Sequence, residues 1–456
     1  MHNSAVFASK RADARHYFGT ARLVVPLLAL ALLLAGCSAS GAKQSSNSAG
    51  AAVTITFWHG WSLPNDVGAL QRNIAKFEKL HPNITVKTVP NVSDDKILQG
   101  LRTSTGPDVI SSFTTGSVGA LCQGALVDLN PKLKADGIDK NTTFIPSRIR
   151  YTEFGGKQCT LPLLGDAFGL YYNKEMFTAA GIIAPPKTWT EFTADAVKLT
   201  HMKKDGSYAS LGFMPSFEMY ETDVGTWMKQ WDPKYYDAQG KANLANDPNV
   251  SRFFQYADSL QKALGGYAPL HKYRTTFGDE WSAQNPFEVG KIAMALDGEW
   301  RIGLIKTDSP KLNYAVAPLP VPDDQLSTYG KGSLTGTIIG ISRKSQHQQA
   351  AWELVKYLTS DTNALVSFGN AIQNLPSTLA ALKSPELPSD PAFQTFLRIS
   401  ENPMSGGTPA SNNGGQYLTI LGRFGDQWQS GKVSDLHQGL VDVDKQIDAA
   451  NAQTAP

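Results

Sequence analysis

The sequence predicts an α/β fold with a largely parallel sheet, and three observations carry that prediction. Strand-like and helix-like patterns alternate as β-α-β-α-β within about 60 residues after position 53, which needs helices to cross between parallel strands. Short apolar runs recur further along the chain, between stretches of helical periodicity. Hydrophobic content is 41% against 18% charged, a globular balance and not a disordered one. The 456 residues provide core for roughly two or three domains.

Val53-Thr54-Ile55-Thr56-Phe57-Trp58 alternates β-formers and reads as a strand. Val67, Leu70, Ile74 and Phe77 recur at helical spacing, and His81-Pro82-Asn83 stops that helix. Ile84 to Val89 alternates again as a second strand. Lys96 to Arg102 reads as a short helix started by Ser93 or Asp94. Gly106-Pro107 then turns the chain into the short buried strand Asp108-Val109-Ile110. Ligands of such sheets sit beyond the carboxyl ends of the strands, which points to Trp58-His59-Gly60-Trp61 and to Ser111 to Thr115.

Leu161 to Asp166 leads into the apolar and aromatic strand Gly169 to Asn173. Pro185-Pro186-Lys187-Thr188-Trp189-Thr190 introduces a helix running to about Leu199, with Thr188 or Thr190 as its cap. Residues 250–265 and 346–360 read as helices. Ile292 to Asp297, Tyr314 to Pro318 and Thr337 to Ile341 read as buried strands.

Lys+Arg 42 against Asp+Glu 40 gives a net charge of +2, which excludes an electrostatically driven nucleic-acid binder. Three cysteines and eight histidines, none in an H-x-x-x-H pair, give no metal framework, and no cofactor is expected.

Residues 1–36 read as an export signal. Lys10, Arg11, Arg15 and Arg22 precede the apolar run Leu23 to Ala35, which is too short to span a bilayer. The run ends in Leu34-Ala35-Gly36-Cys37, which resembles a bacterial lipobox with Cys37 as the lipidated residue. Residues 37–52 then form a flexible leash, with Lys43 as its only charge. Outside the cell, Cys122 and Cys159 are expected to be joined, with two separate buried thiols as the alternative.

The order of segments resembles extracellular solute-binding protein family 1, the maltose-binding-protein-like lipoproteins of bacterial ABC importers. The resemblance is carried by Ile55-Thr56-Phe57-Trp58-His59, Phe77-Glu78-Lys79-Leu80-His81-Pro82, Gly106-Pro107-Asp108-Val109 and Leu170-Tyr171-Tyr172-Asn173-Lys174. It continues through Pro186-Lys187-Thr188-Trp189, Gly290-Lys291-Ile292-Ala293-Met294, Ala317-Pro318-Leu319-Pro320 and Gly340-Ile341. It implies a type II periplasmic-binding-protein fold of two α/β lobes, each with a mainly parallel sheet. Lobe 1 would take 53–163 and 328–370, lobe 2 would take 164–327 and 371–456, and hinge closure would trap the ligand between them. It also implies a carbohydrate ligand, ABC permease subunits in the cytoplasmic membrane as partners, and a monomer on the outer face of that membrane.

A sugar needs aromatic planes for its C–H faces and planar hydrogen-bonding groups for its hydroxyls. On that chemistry the candidate ligand residues are Trp58, His59 and Trp61 after the first strand, and Asp166 at the expected crossing between lobes. Asp297, Glu299 and Trp300 follow a buried strand, and the resemblance places a stacking aromatic at Trp300. Trp227, on a helical face with Trp231, Gly332 through its backbone, and Arg423 complete the set. The alternative for the acids is that Asp297 caps a turn and Glu299 pairs with Arg301. A rival function is a lipid-anchored glycoside hydrolase using Asp297 and Glu299, although two acids on one strand would sit on the same side of a ligand.

Overall fold

The first β-α-β-α-β stretch folds as its pattern requires. In the structure, a computed structural model that describes residues 51–453, β1 (Val53–Trp58), α1 (Pro64–Leu80), β2 (Ile84–Val89), α2 (Asp94–Gly100) and β3 (Val109–Ser112) follow in that order. The export segment 1–36 and Cys37 lie outside the described residues, as does most of the leash. β1 pairs in parallel with β2 on one side and β3 on the other. Its alternation sorts the two faces. Ile55 and Phe57 enter one apolar core with Leu70, Ile74 and Phe77 of α1, while Trp58 packs on a second core on the opposite face.

The remaining strands are β4 (Leu161–Asn173), the hairpin β5 (His201–Met202) and β6 (Tyr208–Ser210), then β7 (Met294–Gly298), β8 (Tyr314–Ala317), β9 (Leu334–Ile341) and β10 (Leu375–Pro376). Here the sheet departs from the mainly parallel expectation. β9 runs antiparallel to both β3 and β4, and β7, β8 and β10 all run antiparallel to β4. The parallel part is confined to β1, β2 and β3, whose helical crossovers enforce it.

β4 joins the two halves. Its residues Leu161 to Ala167 pair with β9, and Phe168 to Tyr172 pair with β7. The first part contributes Leu161, Leu163 and Leu164 to the core that contains Phe57. The second part contributes Phe168, Leu170 and Tyr171 to a separate, larger core. That larger core also takes Phe393, Phe396, Tyr417, Leu421 and Phe424 from the C-terminal helices. Because β3 and β4 both run antiparallel to β9, β4 runs in the same direction as β1 and β3. The carboxyl ends of β1 and β3 therefore point toward the half that β4 enters.

Local signals set the other boundaries. Thr188 and Glu191 form a reciprocal capping box that starts the helix Trp189–Lys198. Cys122 and Cys159 are disulfide-bonded, tying the helix Val118–Cys122 to the segment just before β4.

Candidate functional site

Three aromatic side chains from separate segments meet on the second half. Trp300 begins the helix Trp300–Asp308 directly after β7, and its ring folds back over Gly298, where a Cβ would lie 2.2 Å from it. Trp281 lies 6.4 Å away between ring centroids, and Tyr220 lies 6.3 Å from Trp300 and 5.7 Å from Trp281. Tyr220 is 47% exposed and Trp281 39% exposed, large values for such rings. A braced loop holds Trp281 out. Asp279 accepts the Trp281 N–H at 3.0 Å, and Asn285 donates to the Glu280 carbonyl at 3.0 Å while capping Phe287 at 2.9 Å.

On the first half, the loop after β3 presents Phe113, 41% exposed, edge-on against Trp61 at 5.5 Å. Gly60 leaves it room, since a Cβ there would lie 2.6 Å from the Phe113 ring. Trp61 itself is buried against Phe368 and His59, so it supports Phe113 and offers no free face. Trp58 is half-buried with its ring on Gly100, and this packing accounts for its position.

His59 is fully buried, and neither ring nitrogen has a hydrogen-bond partner among the described residues. Burial pulls its pKa down to about 4, so the ring is neutral near pH 7, and its full enclosure keeps its one N–H from a ligand. A histidine with a folded pKa below its unfolded value binds fewer protons in the folded state. Stability therefore rises with pH from about 4 to about 6.5 and is lost as the pH falls through that window. His59→Phe should abolish a loss of about 2–3 kcal/mol on acidification. Urea melts of both proteins at pH 7 and pH 4 measure it, and equal acid sensitivity would contradict the assignment.

The carboxylates expected to meet hydroxyls are already committed. Asp166 accepts from Asn374 and Thr335. Glu299 is fully buried, accepting the Ala167 N–H at 2.9 Å and the Asn374 side chain at 2.9 Å. Burial pushes both acids upward, with Asp166 raising Glu299 further, and Arg148 pulls Asp166 down against this. Asp297, also buried, accepts from Arg301 Nε at 2.6 Å and from the Gly298 N–H at 2.8 Å. The pairing is therefore Asp297 with Arg301 and Glu299 with Asn374. Neither acid is free to flank a scissile bond, and the hydrolase reading loses its residues.

Three further expectations are corrected. Trp227 is 0% exposed, enclosed by Trp189, Phe213, Phe217 and Phe253, and presents no plane to a ligand. Gly332 is buried, with its N–H donated to Ser405 Oγ at 2.9 Å and its carbonyl taken by Gly406, so its backbone is spent. Arg423 is exposed on the helix Gln416–Gln429, and no contact places it with the aromatic trio.

Of the expected residues, only Trp300 joins the exposed cluster. The sequence reading missed Tyr220 and Trp281, although a tryptophan within Gly-Asp-Glu-Trp-Ser is a large ring in polar surroundings, which is a usable signal. Arg148 and Asn374 were missed because their side-chain partners are 75 or more residues away. Two surface hollows of about 310 and 330 Å³ lie elsewhere, one beside Leu382 and Arg398 and one beside Trp231 and Arg252. The first lacks any aromatic plane, and the tryptophans flanking the second are buried, so the exposed trio is the better candidate. No group of three potential metal ligands occurs among the described residues, and none of their helices is long and apolar enough to cross a membrane.

Comparison with known proteins agrees with this architecture. A putative binding protein of Brucella abortus is 27% identical over 291 residues, covering 62% of this chain and 66% of that protein, just under two thirds of its length. The maltotriose-binding protein of Pyrococcus abyssi is 20% identical over 75% of this chain and 70% of its own. The solved structure of CpMnBP1 with mannotriose bound superposes with a TM-score of 0.77 at 25% identity, covering 86% of this chain and 99% of that one. Its likeness supports a two-lobed fold, with β4 as one connection between the lobes. Residues 60–365 match the bacterial extracellular solute-binding proteins, and the chain belongs to that family.

Proposed function

We propose that this protein captures a carbohydrate outside the cytoplasm and hands it to a membrane permease of an ABC importer. The observation that carries the reading is the exposed Tyr220–Trp281–Trp300 cluster on the half toward which β1 and β3 point, with Phe113 on the half that holds those strands. Rings left exposed on the two facing sides of a cleft suit the apolar faces of a sugar, and closure of the lobes would desolvate both. The mannotriose bound by CpMnBP1 and the maltotriose named for the Pyrococcus protein support an oligosaccharide. The lobes would divide near residues 163, 327 and 370. Cys37 would carry the lipid that holds the protein, as a monomer, beside its permease.

Calorimetry with mannobiose, mannotriose and maltotriose tests the reading, with a thermal-shift screen over other oligosaccharides beside it. Intact sugar and a raised melting temperature are expected. New reducing ends would overturn the binding role. Trp300→Ala should weaken the bound sugar by about 1–3 kcal/mol, and unchanged affinity would remove the cluster from the site.

A further inference from the structure

The aromatic cluster stands over an unusual distribution of charge. Beneath Trp281 lies the Arg301 guanidinium, 5.7 Å from the ring centroid. Arg301 is 1% exposed and faces three carboxylates, Asp297 at 2.6 Å, Glu288 at 3.3 Å and Glu221 at 3.9 Å. Glu280, next to Trp281 in sequence, is close enough to share a hydrogen bond with Glu221. Two carboxyls so placed hold one proton between them. Burial raises the pKa of all four acids and Arg301 draws each down against it, so four carboxyl groups share one guanidinium. A second cation, Arg274, is paired with Glu218 and also feels the charge of Glu280.

The acids also have unused capacity. Among the described residues, Glu221 Oε1 and Arg301 Nη2 lie 3.9 Å apart and neither has a hydrogen-bond partner, although both residues are more than nine-tenths buried. Two of the same acids also reach the Tyr220 hydroxyl: burial of that end of the otherwise exposed ring, and then Asp166, Asp223, Glu221 and Asp297, push it well above its ordinary pKa. The aromatic faces add their own negative potential. Arg148, near Asp166 and Glu299, is a further cation, and its donors are turned to the Leu375 and Pro376 carbonyls and to Ser400.

We propose that the ligand unit seated against Tyr220, Trp281 and Trp300 carries a protonated amine, so that the cargo is an amino sugar or an oligosaccharide containing one. This rests on the carbohydrate reading and narrows it. A neutral sugar would satisfy the rings alone. An ammonium group would also gain from the ring faces and from the acid-rich cluster below them. Tyr220 and Glu280 become specificity-determining residues.

The test is calorimetry at pH 6 with matched pairs: glucosamine, galactosamine, mannosamine and the disaccharide of glucosamine, each against its hydroxyl parent and its N-acetyl form. At least one amino form should bind about tenfold or more tightly than both of its neutral counterparts. Glu280→Gln should cut that preference several-fold, and an undiminished preference would overturn the proposal. Neutral sugars that bind as tightly as every amino form would overturn the proposal and leave the carbohydrate reading standing. Binding of tetramethylammonium without any sugar would keep the charge selection and overturn the carbohydrate reading. A protein that binds none of these probes overturns both. A ligand-independent measurement compares quenching of indole fluorescence by caesium and by iodide in the wild type and in Trp281→Phe. Caesium should account for most of the quenching that this substitution removes, and dominance of iodide would overturn the proposal.

Discussion

Trp227→Ala is expected to cost about 3–5 kcal/mol of folding stability while leaving the ligand affinity of the folded molecules unchanged. The indole is 0% exposed in the larger core. Phe253 at 5.5 Å, Phe213 at 5.7 Å and Phe217 at 5.9 Å surround it edge-on, with Trp189 at 6.1 Å. Truncation removes one of the largest buried side chains and leaves a cavity whose aromatic walls cannot collapse without breaking their own contacts. Urea unfolding gives the stability, and calorimetry on the folded protein gives the affinity. Lost affinity at unchanged stability would return Trp227 to the ligand.

Arg148→Met should cost a similar amount, about 3–5 kcal/mol, with a pH dependence that Trp227→Ala lacks. The guanidinium is 0% exposed and donates to the Leu375 carbonyl at 3.2 Å, to the Pro376 carbonyl and to Ser400 Oγ at 2.8 Å. It is also the positive charge that offsets Asp166 and Glu299. Burial already raises both carboxyls, so without Arg148 they take up protons as the pH falls and the penalty shrinks. The gap between wild type and variant should be wider at pH 8 than at pH 5, measured by urea melts at each pH. A gap independent of pH would mean that the guanidinium acts only through its hydrogen bonds. Gly165→Ala offers a second route to the same result, because its Cβ would lie 2.0 Å from the Arg148 guanidinium carbon.

The fold was legible where the signal is local. Alternation in Val53–Trp58, the Leu70, Ile74 and Phe77 stripe, and the Thr188–Glu191 box each report on a few neighbouring residues, and each has its counterpart in the structure. The antiparallel course of β9 was not legible, since strand direction depends on contacts about 170–230 residues apart. The site divides in the same way. Trp227 and Trp281 are the same residue type, and only the environment separates them: Val-Gly-Thr-Trp-Met sinks into a core, while Gly-Asp-Glu-Trp-Ser sits on a polar loop. Asp297 and Glu299 looked available because their partners Arg301, Ala167 and Asn374 become neighbours only through the turn after β7 and the passage of β4 beside it.

The thirteen-residue β4 has a mechanical consequence. One unbroken strand is zipped into both sheets, so the halves cannot slide past each other at this connection without unzipping a ladder. The changeover falls at Ala167 and Phe168, whose N–H groups are tethered to Glu299 at 2.9 Å and to the Ser333 carbonyl at 3.1 Å. Motion there is left to backbone torsion, a flexing leaf with its axis built into the covalent chain. Cargoes of different size would then alter how far the jaws travel, while the arc they follow stays the same.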